Sequence, residues 1–365
     1  MASIKRILAV SAAALLTVQG LMVFPSPSYA QGPQGPQSPA PAQEPQQPQP
    51  PSNQPGQKPQ QPPPPQVSIA IQSNLVNVDA IVTDQDGNLV TGLKKQNFRI
   101  LDDGQPQEIT NFAPTDAPLT TVILVEFSAR FYNYFGFKSA YWADGFLQAL
   151  KPQDWVALKT FDLKPTLQVD FTQNKREVGD AIYHLGFPGF SEACLFDALY
   201  QTLNELKDVK GKRSVLVLAT GFDTLSKHTL DQTLSRLKEN DITIFCVGMG
   251  EEIELYSASG GGVGYLQAKN QLTTFAKMSG GYAYFPRFTG EMSGIFNTIA
   301  QSLRSQYTLV FAPNTPQDGK YHKLTVQALD DQGNPLQLAN AKGKMKKALV
   351  NAREGYLAPT PQPGN

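Results

Sequence analysis

Residues 121–130 read T-V-I-L-V-E-F-S-A-R. Thr121 to Val125 is a β-branched, apolar run without alternation, the pattern of a strand covered on both faces. It stops on Glu126, Ser128 and Arg130, two apart, the spacing at which side chains of one loop can converge on a cation. A buried strand ending on an acid, a hydroxyl and a guanidinium places a polar site at its carboxyl end.

The neighbouring sequence repeats the strand type. Trp155 to Phe161, Ser214 to Ala219 and Ile242 to Gly248 are further short apolar runs. Between them Phe146–Leu150, Lys175–Leu185, Leu195–Leu206 and His228–Glu239 carry apolar residues at spacings of three and four, as Leu230, Leu234 and Leu237 do on one face. Strands alternating with amphipathic helices predict an α/β domain over 118–304, with a doubly wound, mostly parallel sheet whose functional loops lie at the carboxyl ends of its strands.

The flanks follow a different period. Leu75 to Thr83 alternates apolar and polar, D-Q-D-G-N turns the chain, and Phe98 to Leu101 leads into D-D-G-Q-P. This N-terminal piece, 67–117, is too small to bury a core alone. Its counterparts lie in 305–358, where Gln306–Ala312, His322–Leu329 and Ala348–Arg353 alternate in the same way. The two ends are expected to form one small β-sandwich with the α/β domain inserted in it.

At the amino end Lys5-Arg6, the apolar run from Ile7 to Phe24 and Ser28-Tyr29-Ala30 follow the order of a secretory signal peptide over 1–30, cleaved after Ala30. The alternative is a membrane anchor, which Pro25 and Pro27 disfavour. Residues 31–66 are dominated by Pro and Gln and form a disordered linker, reaching on the order of 100 Å if fully extended. Residues 359–365 read as a disordered tail. The 31 Lys+Arg balance 31 Asp+Glu, which gives nucleic acid no electrostatic hold. Cys194 and Cys246, with small apolar neighbours, read as two buried free thiols, a disulfide being the alternative. Two Cys and three scattered His (His184, His228, His322) offer no ligand cluster for zinc.

The strand ending in acid-x-Ser, the segments L-K-P-Q-D-W-V-A-L-K-T-F and G-F-S-E-A-C-L-F-D-A-L-Y, and S-V-L-V-L-A-T-G-F-D-T together resemble a von Willebrand factor type A (VWA) domain. The flanking V-D-A-I-V-T-D-Q-D-G-N and S-Q-Y-T-L-V-F-A-P resemble the bacterial VWFA-related family, known chiefly from acidobacteria, so that the resemblance spans about 70–357. It implies a magnesium-type site built from Asp-x-Ser-x-Ser, a Thr and an Asp, completed by a partner's carboxylate. Carried over position by position, the first motif becomes Glu126-Phe127-Ser128-Ala129-Arg130, the Thr falls on Ala193 and the Asp on Thr220.

Only Ser128 is unchanged. Glu126 is a methylene too long for a tight octahedral cage, and Ala193 offers no ligand. Arg130 supplies a fixed cation, so a Glu126–Arg130 salt bridge is expected in the metal's place and no cofactor is expected. The alternative is a rebuilt magnesium site drawing on Glu126, Ser128, Ser191 or Glu192, and Asp223.

Other motifs are weaker. Gly189-Phe190-Ser191-Glu192-Ala193 resembles a nucleophile elbow but follows a helical pattern, not a strand. Gly260-Gly261-Gly262-Val263-Gly264 lacks the Lys of a phosphate loop and reads as a surface loop. Phe131, Tyr132, Tyr134, Phe135, Phe137 and Tyr141 exceed what one helix face can bury, and some of them are expected to surface as a binding patch. These features point to an exported, non-enzymatic module that binds a protein partner of the envelope or extracellular space, does not bind nucleic acid and does not insert into a membrane when mature. The alternative is a structural component of an envelope assembly.

Overall fold

The computed structural model describes residues 75–113, 118–135, 139–248, 262–316 and 318–360, without the side chains of 133–135, 139–142 and 289. The expected signal peptide, the linker and the start of the N-terminal β piece lie outside the described residues, as do 361–365.

Four strands come first: β1 (Val76–Thr83), β2 (Phe98–Asp102), β3 (Gln105–Gln107) and β4 (Ile109–Ala113). The inserted domain runs β5 (Leu119–Glu126), α1 (Ala129–Phe135), α2 (Ser139–Ala149), β6 (Trp155–Phe161), β7 (Pro165–Thr172), α3 (Lys175–Tyr183), α4 (Leu195–Leu206), β8 (Lys212–Leu218), α5 (Leu230–Lys238), β9 (Thr243–Val247), α6 (Gly262–Ser279), β10 (Ala283–Tyr284) and α7 (Met292–Arg304). The chain then returns to β11 (Tyr307–Phe311), β12 (Tyr321–Ala328), β13 (Gln337–Ala339), β14 (Met345–Lys347), β15 (Leu349–Ala352) and β16 (Gly355–Leu357).

The central six-stranded sheet has the order β10-β9-β8-β5-β6-β7, with β7 antiparallel to β6 and the other pairs parallel. Every residue of β5 is buried. Ile123 and Val125 enter one core with Phe146, Val178 and Phe296 from α2, α3 and α7, while Val122 and Leu124 enter the opposite core with Leu199, Leu237 and Phe275 from α4, α5 and α6. Both faces are covered, and that is why the strand carries no polar alternation; each such side chain contributes about 1.5–3 kcal/mol on burial. Glu126 continues the even-numbered series, so the side chain that ends the strand turns toward α4.

The two ends of the chain make two four-stranded sheets, ordered β15-β1-β11-β4 and β16-β12-β2-β3, each built from strands of both flanks. Val78, Ile100, Leu309, Leu324 and Tyr356 share one core between them. Pairings across the inserted domain, β1 with β11 and β15, β4 with β11, and β2 with β12, join the two flanks, while β2–β3 and β12–β16 pair within one flank.

Sequence periodicity missed β7, β10, α6 and α7. β7 is an edge strand, with Val169 its one buried residue, and is interrupted by register shifts against β6, so its alternation is broken. In α6, Tyr265, Ala268, Leu272, Phe275 and Ala276 form a regular buried stripe. Gly262 to Gly264 open this helix, correcting the surface-loop expectation for those residues; Gly260 and Gly261 lie outside the described residues.

Candidate functional site

The carboxyl ends of β5 and β8 meet at Glu126. Its side chain is 1% exposed, and each oxygen is occupied. Oε1 accepts from Ser128 Oγ at 2.5 Å; Oε2 accepts from the Thr220 backbone N–H and from Thr220 Oγ1, both at 2.7 Å. Ser128 Oγ in turn accepts from Phe131 N–H at 3.1 Å, in the first turn of α1. Burial pushes the Glu126 carboxyl above the ordinary carboxylate range, opposed by these hydrogen bonds and, more weakly, by the charge of Arg130.

Arg130 is not the partner the sequence suggested. It is exposed, and its guanidinium carbon lies 5.0 Å from the ring centroid of Phe222; among the described residues no ion pair joins it to Glu126. The expected salt bridge is corrected to a cluster of hydroxyls and one backbone amide, because Arg130 falls on the outer side of α1 while Thr220 reaches Glu126 from the loop after β8. No local sequence signal marked Thr220 as the donor, since its approach spans 94 positions.

The remaining predicted residues lie around this cluster in other roles. Ala193 is buried, and its backbone N–H and C=O are both tied to Thr224. Asp223 Oδ1 accepts from Phe196 N–H at 3.0 Å and Ser226 Oγ at 2.5 Å, so it caps the amino end of α4 from a distant loop, where Cys194 offers no side-chain cap. Ser191 and Glu192 are exposed, with Ser191 N–H donating to Glu192 Oε2. Among the described residues no hydrogen bond or ion pair ties Asp223, Ser191 or Glu192 to Glu126 or Ser128; Asp223 and Glu192 engage Phe196, Ser226 and Ser191 instead. The helical end of α3 at Tyr183 likewise removes the nucleophile-elbow geometry.

These residues do not fit a magnesium cage. The lone pairs of Glu126 face donors, the Ser128 hydroxyl points at Glu126, and the carried-over Thr and Asp positions are an alanine and a threonine. Gly221 fixes the approach of the β8 loop: its φ is +86°, and a Cβ there would lie 2.6 Å from the Ala268 carbonyl oxygen of α6.

The aromatic stretch after Arg130 is described only in part. Phe131 is buried and Tyr132 half-buried, and the side chains of Tyr134, Phe135, Phe137 and Tyr141 lie outside the described residues. Exposed apolar groups include Phe187, Phe190 and Leu225 on the adjoining loops and Val263 and Leu266 at the start of α6. These loops are linked to the site: the Ala129 N–H of α1 donates to Phe190 O at 2.7 Å, and the Phe187 and Tyr132 rings lie 5.3 Å apart. Cys194 and Cys246 are buried and unbonded; burial pushes the Cys194 thiol up to about 12 and Cys246 higher still. The group of three metal-competent side chains among the described residues lies elsewhere, at Asp102, Asp103 and His322 in the sandwich, so the expectation that no His joins a ligand cluster is corrected.

A doubly wound sheet with one antiparallel edge, and a polar cluster formed by the loops after β5 and β8, define a VWA-like fold in which the ligand letters are replaced. Among solved structures the chain is similar to BatB from Bacteroides thetaiotaomicron (13% identity, TM-score 0.40, 51% of this chain and 100% of that one). It is also similar to a von Willebrand factor type A protein from Catenulispora acidiphila (12%, 0.40, 78% and 75%). A third is the mussel byssus proximal thread matrix protein 1 with a zinc-occupied MIDAS motif (14%, 0.42, 54% and 48%). The fold assignment rests on strand order and register. No protein-family model matches the chain, and no curated protein matches it.

Proposed function

We propose that this chain is an exported, non-enzymatic module that binds a protein partner through the loops at the carboxyl end of its central sheet, without a divalent ion at Glu126. The observation that carries this reading is the exposed set Phe187, Phe190 and Leu225, arranged on loops that hydrogen-bond to the Glu126–Arg130 segment or to Ala193. Exposed aromatic and aliphatic side chains on a rigid frame are what a protein interface uses. Arg130, held over Phe222, adds a fixed cation suited to a partner's carboxylate, the group that a metal would otherwise receive.

Support for a metal-independent site comes from the three donors that already engage the two oxygens of Glu126. Support for a non-enzymatic role comes from the same cluster: Ser128 and Glu126 are both buried and engaged with each other, Phe131 and Thr220, so neither presents a reactive atom to a substrate. Export rests on the Lys5-Arg6, apolar and Ser28-Tyr29-Ala30 order. No helix among the described residues is long and apolar enough to cross a membrane.

The test is capture from cell-envelope extract on the immobilised full chain, with and without magnesium. The same partner should be retained in both conditions and lost when Phe187→Ser and Phe190→Ser are combined. Capture that requires magnesium, or that ignores the two substitutions, refutes the reading.

A further inference from the structure

The turn D-D-G-Q at 102–105 is a two-residue hairpin with Asp103 at φ 48° and Gly104 at φ 84°. Both positions are left-handed, as a type I′ turn demands, and Asp tolerates this region better than most residues. The turn sets Asp102 at the end of β2 and Asp103 just beyond it. Because β2 pairs with β12 in the register Asp102↔Leu324, His322 at the start of β12 comes alongside both carboxylates. His322 Nδ1 lies 2.9 Å from Asp103 Oδ2 and 3.6 Å from Asp102 Oδ1, and these three atoms lie within 4.8 Å of one another.

Each of the three side chains is aimed by a further partner. Asp102 Oδ2 accepts from Tyr356 Oη at 2.8 Å and Thr315 Oγ1 at 2.7 Å, which leaves Oδ1 facing inward. Asp103 Oδ1 accepts from the Lys323 backbone N–H at 2.9 Å, which turns Oδ2 toward the ring. On its far side His322 Nε2 lies 3.2 Å from Asp318 Oδ1, and Asp318 is held by the Lys320 N–H at 2.9 Å. Carboxylates thus face both ring nitrogens, and with the proton on Nε2 toward Asp318 the Nδ1 atom presents a lone pair to Asp102 and Asp103.

Two of the converging atoms are left over. Asp102 is 0% and His322 5% exposed, yet Asp102 Oδ1 and His322 Nδ1 have no hydrogen-bond partner. Buried lone pairs facing one another repel unless a cation stands between them. A proton on Nδ1 answers this poorly, because its contact with Asp103 lacks hydrogen-bond geometry and Asp102 Oδ1 stays unpartnered at 3.6 Å. A metal ion engages all three atoms at once. Ligands at about 2.0 Å in a tetrahedral shell lie about 3.3 Å apart, and the observed 2.9 and 3.6 Å fall on either side of that spacing.

We propose that Asp102, Asp103 and His322 form a binding site for a divalent transition-metal ion of the zinc class, distinct from the Glu126 cluster. An imidazole nitrogen with two carboxylates suits zinc or its neighbours rather than magnesium or calcium, which prefer oxygen alone. Two carboxylates and a neutral imidazole balance the dication. Exposed Asp103 gives an entry path and room for a water in the fourth position. Such an ion would clamp the β2–β3 turn to β12, joining the N-terminal and C-terminal halves of the sandwich, and its affinity would add to the stability of the folded chain.

The test uses the full chain, stripped with chelator and titrated with zinc chloride by calorimetry and thermal melting, with cobalt(II) as a spectroscopic substitute. One equivalent should bind, the melting temperature should rise with free zinc, and cobalt should give visible bands that saturate at one equivalent. Excess magnesium should not displace either ion. Asp103→Asn keeps a residue tolerant of the left-handed turn and the acceptor for Lys323, so it should melt like the metal-free parent while zinc affinity falls by about tenfold or more. His322→Gln should lose the cobalt bands. The absence of one-equivalent uptake and cobalt bands in the parent overturns the proposal, as does uptake undiminished in both variants.

Discussion

Thr220→Val tests the central account of the Glu126 cluster. Valine keeps the shape of threonine and leaves the 2.7 Å bond from the residue-220 N–H to Glu126 Oε2 in place, but it deletes the Oγ1 donor at 2.7 Å. A hydrogen bond to a charged group contributes about 1.5–3 kcal/mol, against about 1 for a neutral pair. The Phe222 N–H also loses Thr220 Oγ1, at 3.2 Å, but that residue is half-buried and water can replace the acceptor. The extra methyl, in a position 4% exposed, recovers up to about 0.8 kcal/mol. The net expectation is a loss of about 2 kcal/mol with Glu126 ionised, or a fall in melting temperature of about 4–8 °C. Once acid protonates Glu126 the lost bond is neutral, and the gap between variant and parent narrows toward about 1 kcal/mol. Urea unfolding of both chains across a pH series measures this directly. A gap below about 0.5 kcal/mol at every pH, or one that widens in acid, would refute the assignment of Thr220 as the donor that holds the carboxylate.

Two further outcomes follow from the same cluster. Burial raises the Glu126 carboxyl in the folded state, so its contribution to stability is full below the ordinary Glu value and is lost as pH rises through the raised value; Glu126→Gln should remove that fall from the urea-derived stability profile, and a profile identical to the parent's would exclude Glu126 as its source. Arg130→Ser should cost less than about 1 kcal/mol in the same assay, since an exposed guanidinium over Phe222 is lost rather than a buried ion pair; a loss of several kcal/mol would restore the salt-bridge account.

The architecture was legible in the sequence because its signals are local. A strand buried on both faces must be apolar at every position, as Val122 to Val125 are, and a strand with one side packed inward alternates, as the first half of β1 does before Ala80 to Thr83 become buried on both sides. The loss of the VWA ligand letters at Arg130, Ala193 and Thr220 was equally legible, since residue type alone removes a ligand. What replaced the ligands was decided by tertiary structure. Whether Arg130 turns toward Glu126 or away depends on the side of α1 it occupies, and the Thr220 donor arrives from the loop after β8, 94 positions away. Asp223 looked like a spare metal ligand until the fold placed it over the open end of α4. Asp102, Asp103 and His322 show the same division: the D-D-G turn is written locally, but the registration of β2 against β12, across the whole inserted domain, is what brings a histidine 220 positions distant from Asp102 to face both carboxylates. Residue types set what a site can bind, and long-range strand pairing sets which residues meet to form one.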